Sequence, residues 1–241
     1  EEVMSAEIGS VKSSISNGVQ TLTISSGEKN LLKPSVMNAL RGALLASDDD
    51  ASIQANVLTG EGAYFCGGLD VGAIQAGGDP IEFATALRDL LAVFPALKKP
   101  VVAAVNGDAV ASGASLVAVV DYAVSVPSAK IGTYEVSVGI WPMIAQVPLI
   151  NRLGPRIAME NIGSGEPFSA EKSLAIGLIQ KISTKDDLFA DCNHWLAMAA
   201  RAGKPQAVGR PSVYELAELN LRDGLFEAHR KFVAMFEEGK K

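Results

Sequence analysis

The chain has 241 residues, 48% hydrophobic and 20% charged, a balance that excludes a disordered or collagen-like protein. That length buries roughly 70% of the unfolded surface, so a sizeable core is expected. Lys and Arg total 21 against 27 Asp and Glu, with no basic run beyond pairs such as Lys98-Lys99 and Lys240-Lys241, which argues against nucleic acid as a partner.

Residues 11–16 and 19–24 read as strands around Asn17-Gly18, a pair suited to the positive φ angles of a tight hairpin turn. After Pro34, Val36, Leu40, Ala43 and Leu44 recur at helical spacing, and Asp48-Asp49-Asp50 ends that helix before a strand at 52–59. A glycine-rich loop, 60–70, leads to a helix at 81–97 carrying Phe83, Leu87, Leu90, Leu91 and Phe94 on one face. Lys99-Pro100 opens Val101-Val102-Ala103-Ala104-Val105, an apolar run typical of a strand covered on both sides. A second glycine turn at Asn106-Gly107 starts a further helical stretch. Residues 121–126 form the next strand, a loop begins at Gly132, and a helix at 145–153 closes at Gly154-Pro155. From Ser169 the chain reads as mostly helical, at 170–175, 188–201 and 213–238. The expectation is an α/β core over 1–185 and a helical C-terminal region over 186–241.

Cys66 and Cys192 match neither a disulfide framework nor a zinc spacing, which fits a reducing compartment, and no metal is expected. The most apolar stretch, 114–126, is interrupted by Asp121 and is shorter than the roughly 20 residues that span a bilayer. Glu1-Glu2-Val3-Met4 lacks the features of a secretory signal. A cytoplasmic protein without membrane association is expected. Glycine turns at Gly67-Gly68 and Ser112-Gly113 could each present a backbone N–H, and two converging N–H groups can hold a developing oxyanion. Neither turn is a dinucleotide fingerprint or a P-loop, and Gly113-Ala114-Ser115-Leu116-Val117 is no nucleophile elbow.

The segments Ala63-Tyr64-Phe65-Cys66-Gly67-Gly68-Leu69-Asp70, Lys99-Pro100 through Asn106-Gly107, Asp121, Gly132-Thr133-Tyr134-Glu135 through Trp141-Pro142, and Phe168-Ser169-Ala170-Glu171 through Gly177-Leu178-Ile179 together resemble the crotonase, or enoyl-CoA hydratase/isomerase, superfamily. The resemblance runs from about Val11 to Ile182. It implies a crotonase-like spiral of ββα turns, a C-terminal helical region that assembles a homotrimer or dimer of trimers, and a coenzyme A thioester as substrate with no separate cofactor. By position it implies an oxyanion hole at Gly67 and Ser112, and ligand contacts at Cys66, Gly68, Leu69, Ser115, Trp141 and Pro142.

Hydratases of the superfamily carry two glutamates. One matches Glu135; the other falls on Ser115. A single carboxylate is what the superfamily's Δ3,Δ2-enoyl-CoA isomerases use, so the resemblance implies a double-bond shift with Glu135 carrying the proton. Trp141, Met143 and Ile144 are apolar enough to dry such a site and raise the carboxyl pKa. Hydration, decarboxylation, thioester hydrolysis and a non-catalytic scaffold holding acyl-CoA stand as alternatives. Cys66 reads as an inert core thiol, Asp70 as a loop tie, Asp79, Glu82 and Asp89 as surface residues, and His194 as a packing or surface residue. His229 is a candidate for contact with the acyl pocket.

Overall fold

The computed structural model describes residues 4–8 and 10–238. Strand β1 (Met4–Ile8) is followed by the expected hairpin, in which β2 (Val11–Ser16) pairs antiparallel with β3 (Val19–Ile24) and Asn17 and Gly18 take φ of 51° and 76°. Pro34 opens α1 (Pro34–Asp49), which buries Val36, Leu40 and Leu44. Strand β4 (Ala55–Gly60) starts later than 52 because the Asp50 carboxylate accepts the Ser52 N–H at 2.8 Å, holding that stretch in a turn.

Next come β5 (Tyr64–Cys66), α2 (Val71–Gln75) and α3 (Pro80–Val93), the last ending where Phe94-Pro95-Ala96 tighten into a 3-10 turn. Strand β6 (Val101–Val105) is buried throughout, as its apolar run requires. A short strand, β7 (Asp108–Val110), intervenes before α4 (Ser112–Val119), where the sequence reading has turn leading directly into helix. Then follow β8 (Tyr122–Ser125), β9 (Lys130–Gly132) and a 3-10 turn at Glu135–Val138. Helix α5 (Gln146–Ser164) runs past the expected stop: Gly154, at φ 75° and ψ 161°, breaks it, and Pro155 starts a second helical segment. The remainder is β10 (Phe168–Ser169), α6 (Ala170–Ala175), β11 (Lys181–Ile182), α7 (Leu188–Ala199), α8 (Gln206–Ala217) and α9 (Leu221–Glu238). The C-terminal helix read at 213–238 is thus two helices, broken after Ala217.

The long sheet has the order β1-β2-β3-β4-β6-β8-β11, parallel from β3 onward, and the short one has the order β10-β9-β7-β5. Each of three turns gives one strand to the long sheet, one to the short sheet, and then a helix: β4-β5-α2/α3, β6-β7-α4 and β8-β9-α5. This is the crotonase-like ββα spiral. Helix α4 is buried at every residue from Ser112 to Ala118, as expected of a helix apolar all round. Leu188, Cys192 and Leu196 of α7 lie in the same buried cluster as β6 and β8, so the core continues past residue 185. On α8 and α9 the one buried residue among those described is Arg210.

Candidate active site

Two glycine turns meet in backbone contact between β5 and α4. A Cβ on Gly113 would stand 2.2 Å from the Cys66 carbonyl oxygen, and one on Gly68, whose φ is +92°, would stand 2.5 Å from the Ala111 Cβ and 3.3 Å from the Ser112 nitrogen. Only glycine permits that approach. Ala111 sits at φ 52° and ψ −126°, a conformation costing of order 1–3 kcal/mol for a residue with a side chain. Its N–H donates to the Gly132 carbonyl at 3.0 Å, so the strained corner also joins α4 to the end of β9.

The expected donor at Gly67 needs correction. Its N–H donates to the Lys29 carbonyl at 2.8 Å, and the glycine is buried. Among the described residues, the N–H groups of Leu69 and Ser112 have no hydrogen-bond acceptor, and they follow directly on the two contacting residues, Gly68 and Ala111. Leu69 is tied on either side of its free N–H: the Gly68 carbonyl accepts from Leu32 N–H at 2.8 Å, and Asp70 N–H donates to the Leu32 carbonyl at 3.0 Å. The Asp70 carboxylate caps α2 through the Ala73 N–H at 2.9 Å, the loop-tie role expected of it. The unpaired N–H of Ser112 is the first of α4, where the helix dipole adds positive potential. At the other end of α4, Arg152 donates to the carbonyls of Ala118 at 2.9 Å and Val120 at 2.7 Å.

Glu135 begins the 3-10 turn three residues beyond Gly132. Its carboxylate accepts the Tyr134 N–H at 2.9 Å. Partial burial pushes its pKa above the ordinary glutamate value, and hydrogen bonds from its own N–H and that of Tyr134 pull back against the rise. Gly139, in the left-handed region, closes the turn. The following lip leaves Ile140, Trp141 and Met143 exposed, while the Trp141 indole N–H donates to Gln146 at 2.9 Å and Pro142 is buried. Met143 and Ile144 also border an apolar cavity of about 670 Å³ that reaches Leu91, Val119, Val147 and Tyr214. Val119 lies at the opposite end of α4 from Ser112, about 10 Å away at 1.5 Å per residue.

Other expected contacts are not available to a ligand. Cys66 has no exposed surface, and burial pushes its thiol up to about 12. Ser115 is also fully buried, and its hydroxyl donates to the Ala145 carbonyl at 2.8 Å, tying α4 to the start of α5. His194 and His229 are exposed on α7 and α9. The free Leu69 N–H had no signal of its own in the sequence, since every residue but proline carries one and only tertiary pairing shows which is left over.

The family described as enoyl-CoA hydratase/isomerase matches residues 14–214. The peroxisomal bifunctional enzyme of Danio rerio is 31% identical over 89% of this chain, which spans only 29% of that relative. A probable enoyl-CoA hydratase of Bacillus subtilis is 30% identical, covering 70% of this chain and 67% of its own length. Among solved structures, an enoyl-CoA hydratase/isomerase family protein from Silicibacter pomeroyi superposes with a TM-score of 0.87 at 28% identity, covering 94% of this chain and 98% of its own. Human enoyl-coenzyme A hydratase domain-containing protein 3 gives a TM-score of 0.88 at 24% identity, covering 94% and 91% of the two chains, and speaks to the fold alone. With its ββα spiral, its two abutting glycine turns and a match over most of its length, this chain belongs to the enoyl-CoA hydratase/isomerase family.

Proposed function

We propose that the chain shifts the double bond of an enoyl-CoA from the 3 to the 2 position. The thioester oxygen accepts hydrogen bonds from the Leu69 and Ser112 N–H groups. The Glu135 carboxylate takes a proton from C2, the electron pair moves through the dienolate onto that oxygen, and the proton returns at C4. Charge develops on the oxygen only along the reaction, so fixed donors there lower the barrier rather than merely tighten binding. The shift is redox-neutral and neither adds nor removes water, so it needs no cofactor. The acyl chain runs toward the apolar cavity beside Met143 and Ile144.

One observation carries this reading. Where a second carboxylate would stand, Ser115 is buried and its hydroxyl is committed to Ala145, which leaves the chemistry to Glu135. Hydration is the second reading, favoured by relatives whose names are hydratases, among them the 2,3-dehydroadipyl-CoA hydratase of Escherichia coli at 29% identity. A 3-enoyl-CoA incubated in deuterated water tests the first reading through formation of the conjugated product. Glu135→Gln should slow it about 10²- to 10⁴-fold, the usual worth of positioned acid–base catalysis, and full activity in that variant would overturn the assignment. Efficient conversion of crotonyl-CoA to the 3-hydroxy product, with no shift of the 3-enoyl substrate, would select hydration. The same reading includes a trimer or dimer of trimers, with the exposed Leu225, Phe226, Phe232 and Phe236 of α9 against neighbouring copies.

A further inference from the structure

We propose that Asn161 is a positioning residue for Glu135, acting through the peptide group between Thr133 and Tyr134. This rests on the reading of Glu135 as proton carrier. Asn161 lies in the second segment of α5 and is 1% exposed. Its Oδ1 accepts the Thr133 N–H at 2.8 Å and the Thr133 hydroxyl at 3.0 Å, while its Nδ2 donates to the carbonyls of Thr133 and Glu166, both at 2.8 Å. Two donors and two lone pairs are all that an amide side chain has, and three of these four bonds hold one residue, Thr133, on both sides of its Cα.

The grip extends to the carboxylate. The Thr133 carbonyl that accepts from Asn161 shares a peptide group with the Tyr134 N–H, and that N–H donates to Glu135 Oε2 at 2.9 Å. Hydrogen bonds in series through one amide polarise each other, so Asn161 both fixes the plane of the peptide and strengthens the donor that faces Glu135. Two local features serve this contact. Gly132, at φ +156°, would place a Cβ 2.7 Å from Asn161 Nδ2, so glycine is required where the amide passes. Gly165, in the left-handed region at the end of α5, turns the chain so that the Glu166 carbonyl reaches the remaining hydrogen of Nδ2.

No ion pair to Glu135 is formed among the described residues. On α5, which packs against the 3-10 turn, Arg152 is committed to the carbonyls of Ala118 and Val120, Glu160 pairs with Lys172, and Arg156 is exposed. Backbone donors are therefore what orient the carboxylate, and Asn161 governs one of them.

Asn161→Ser, checked for folding by thermal unfolding, tests the role. A misplaced base costs turnover more than binding, so kcat should fall about 10-fold or more with KM for the 3-enoyl-CoA within about 2-fold. The acid limb of the kcat pH profile should move upward by about half a unit as the carboxylate loses donor strength. A folded variant with unchanged kcat and pH profile would overturn the proposal. Should the variant not fold, amide hydrogen exchange in the unaltered protein decides. The Thr133 and Tyr134 amides should exchange about 100-fold more slowly than that of Trp141 on the exposed lip, and equal rates would refute the clamp. Glu135→Gln assayed in parallel separates the two ideas: full turnover there removes the proton-carrier reading, whereas loss there with an unaffected Asn161→Ser removes only the positioning role.

Discussion

Ser115 and Glu135 show how position decides the chemistry of a side chain. The Ser115 hydroxyl works as a tie between two helices, so Ser115→Ala should cost about 1 kcal/mol of stability, the net worth of one hydrogen bond. Its turnover of the 3-enoyl-CoA should stay within about 2-fold of the parent, whereas a catalytic serine would lose far more. Glu135 behaves oppositely. Its raised pKa means that the folded protein binds this proton more tightly than the unfolded chain. The resulting stability is complete below the unfolded-state pKa and disappears as pH climbs through the folded value. In the proposed role of base Glu135 must be ionised, so the rate is expected to rise over the pH range in which that stability is lost. Glu135→Gln should therefore melt about 1–3 °C higher at neutral pH while losing turnover, and a calorimetric scan beside the rate assay checks both signs.

At the scale of elements, Gly113 is the most exposed to test. A methyl there would stand 2.2 Å from the Cys66 carbonyl oxygen, so Gly113→Ala must push α4 away from the turn after β5. Separating the two N–H groups by even 1 Å should lower kcat about 100-fold, with a loss of about 1–3 kcal/mol by overpacking; denaturant titration with steady-state kinetics measures the two together. The longer elements were legible in the sequence. The Asn17-Gly18 hairpin, α1 and the apolar β6 follow from turn chemistry and periodicity, which need only local information. Strands β5, β7, β9 and β10, of two or three residues each, are too short to show alternation and exist because neighbouring strands pair with them. Gly154-Pro155 was legible as a helix break but not as a restart. Of the proposed site, Glu135 and Ser112 were named through family resemblance, and Leu69 only as a ligand contact. That its N–H is the unpaired one could not be read, because the Gly67 N–H is taken by the Lys29 carbonyl, which only folding brings close.

On the scale of the molecule, the C-terminal arm is fastened to the body at Asp121. One carboxylate oxygen accepts the Val101 N–H and the Arg210 Nε, both at 2.8 Å, and the other accepts the Tyr214 hydroxyl. The Arg210 guanidinium also donates to the Leu97 carbonyl, yet its Nη2 lacks a partner. Arg210→Met removes the counter-charge from a carboxylate with a side chain only 10% exposed and should cost about 3–5 kcal/mol. Combining it with Asp121→Asn should recover part of that loss, since the stranded charge goes too. Equilibrium unfolding of the two single variants and the double variant completes the cycle.

That fastening has a consequence for assembly. In the single chain the ionic lock holds α8 on its own body, so copies joined in the proposed way through the exposed apolar residues of α9 would part by sliding off a surface. In the proposed oligomer, subunits held this way would be expected to trade places while each remains folded.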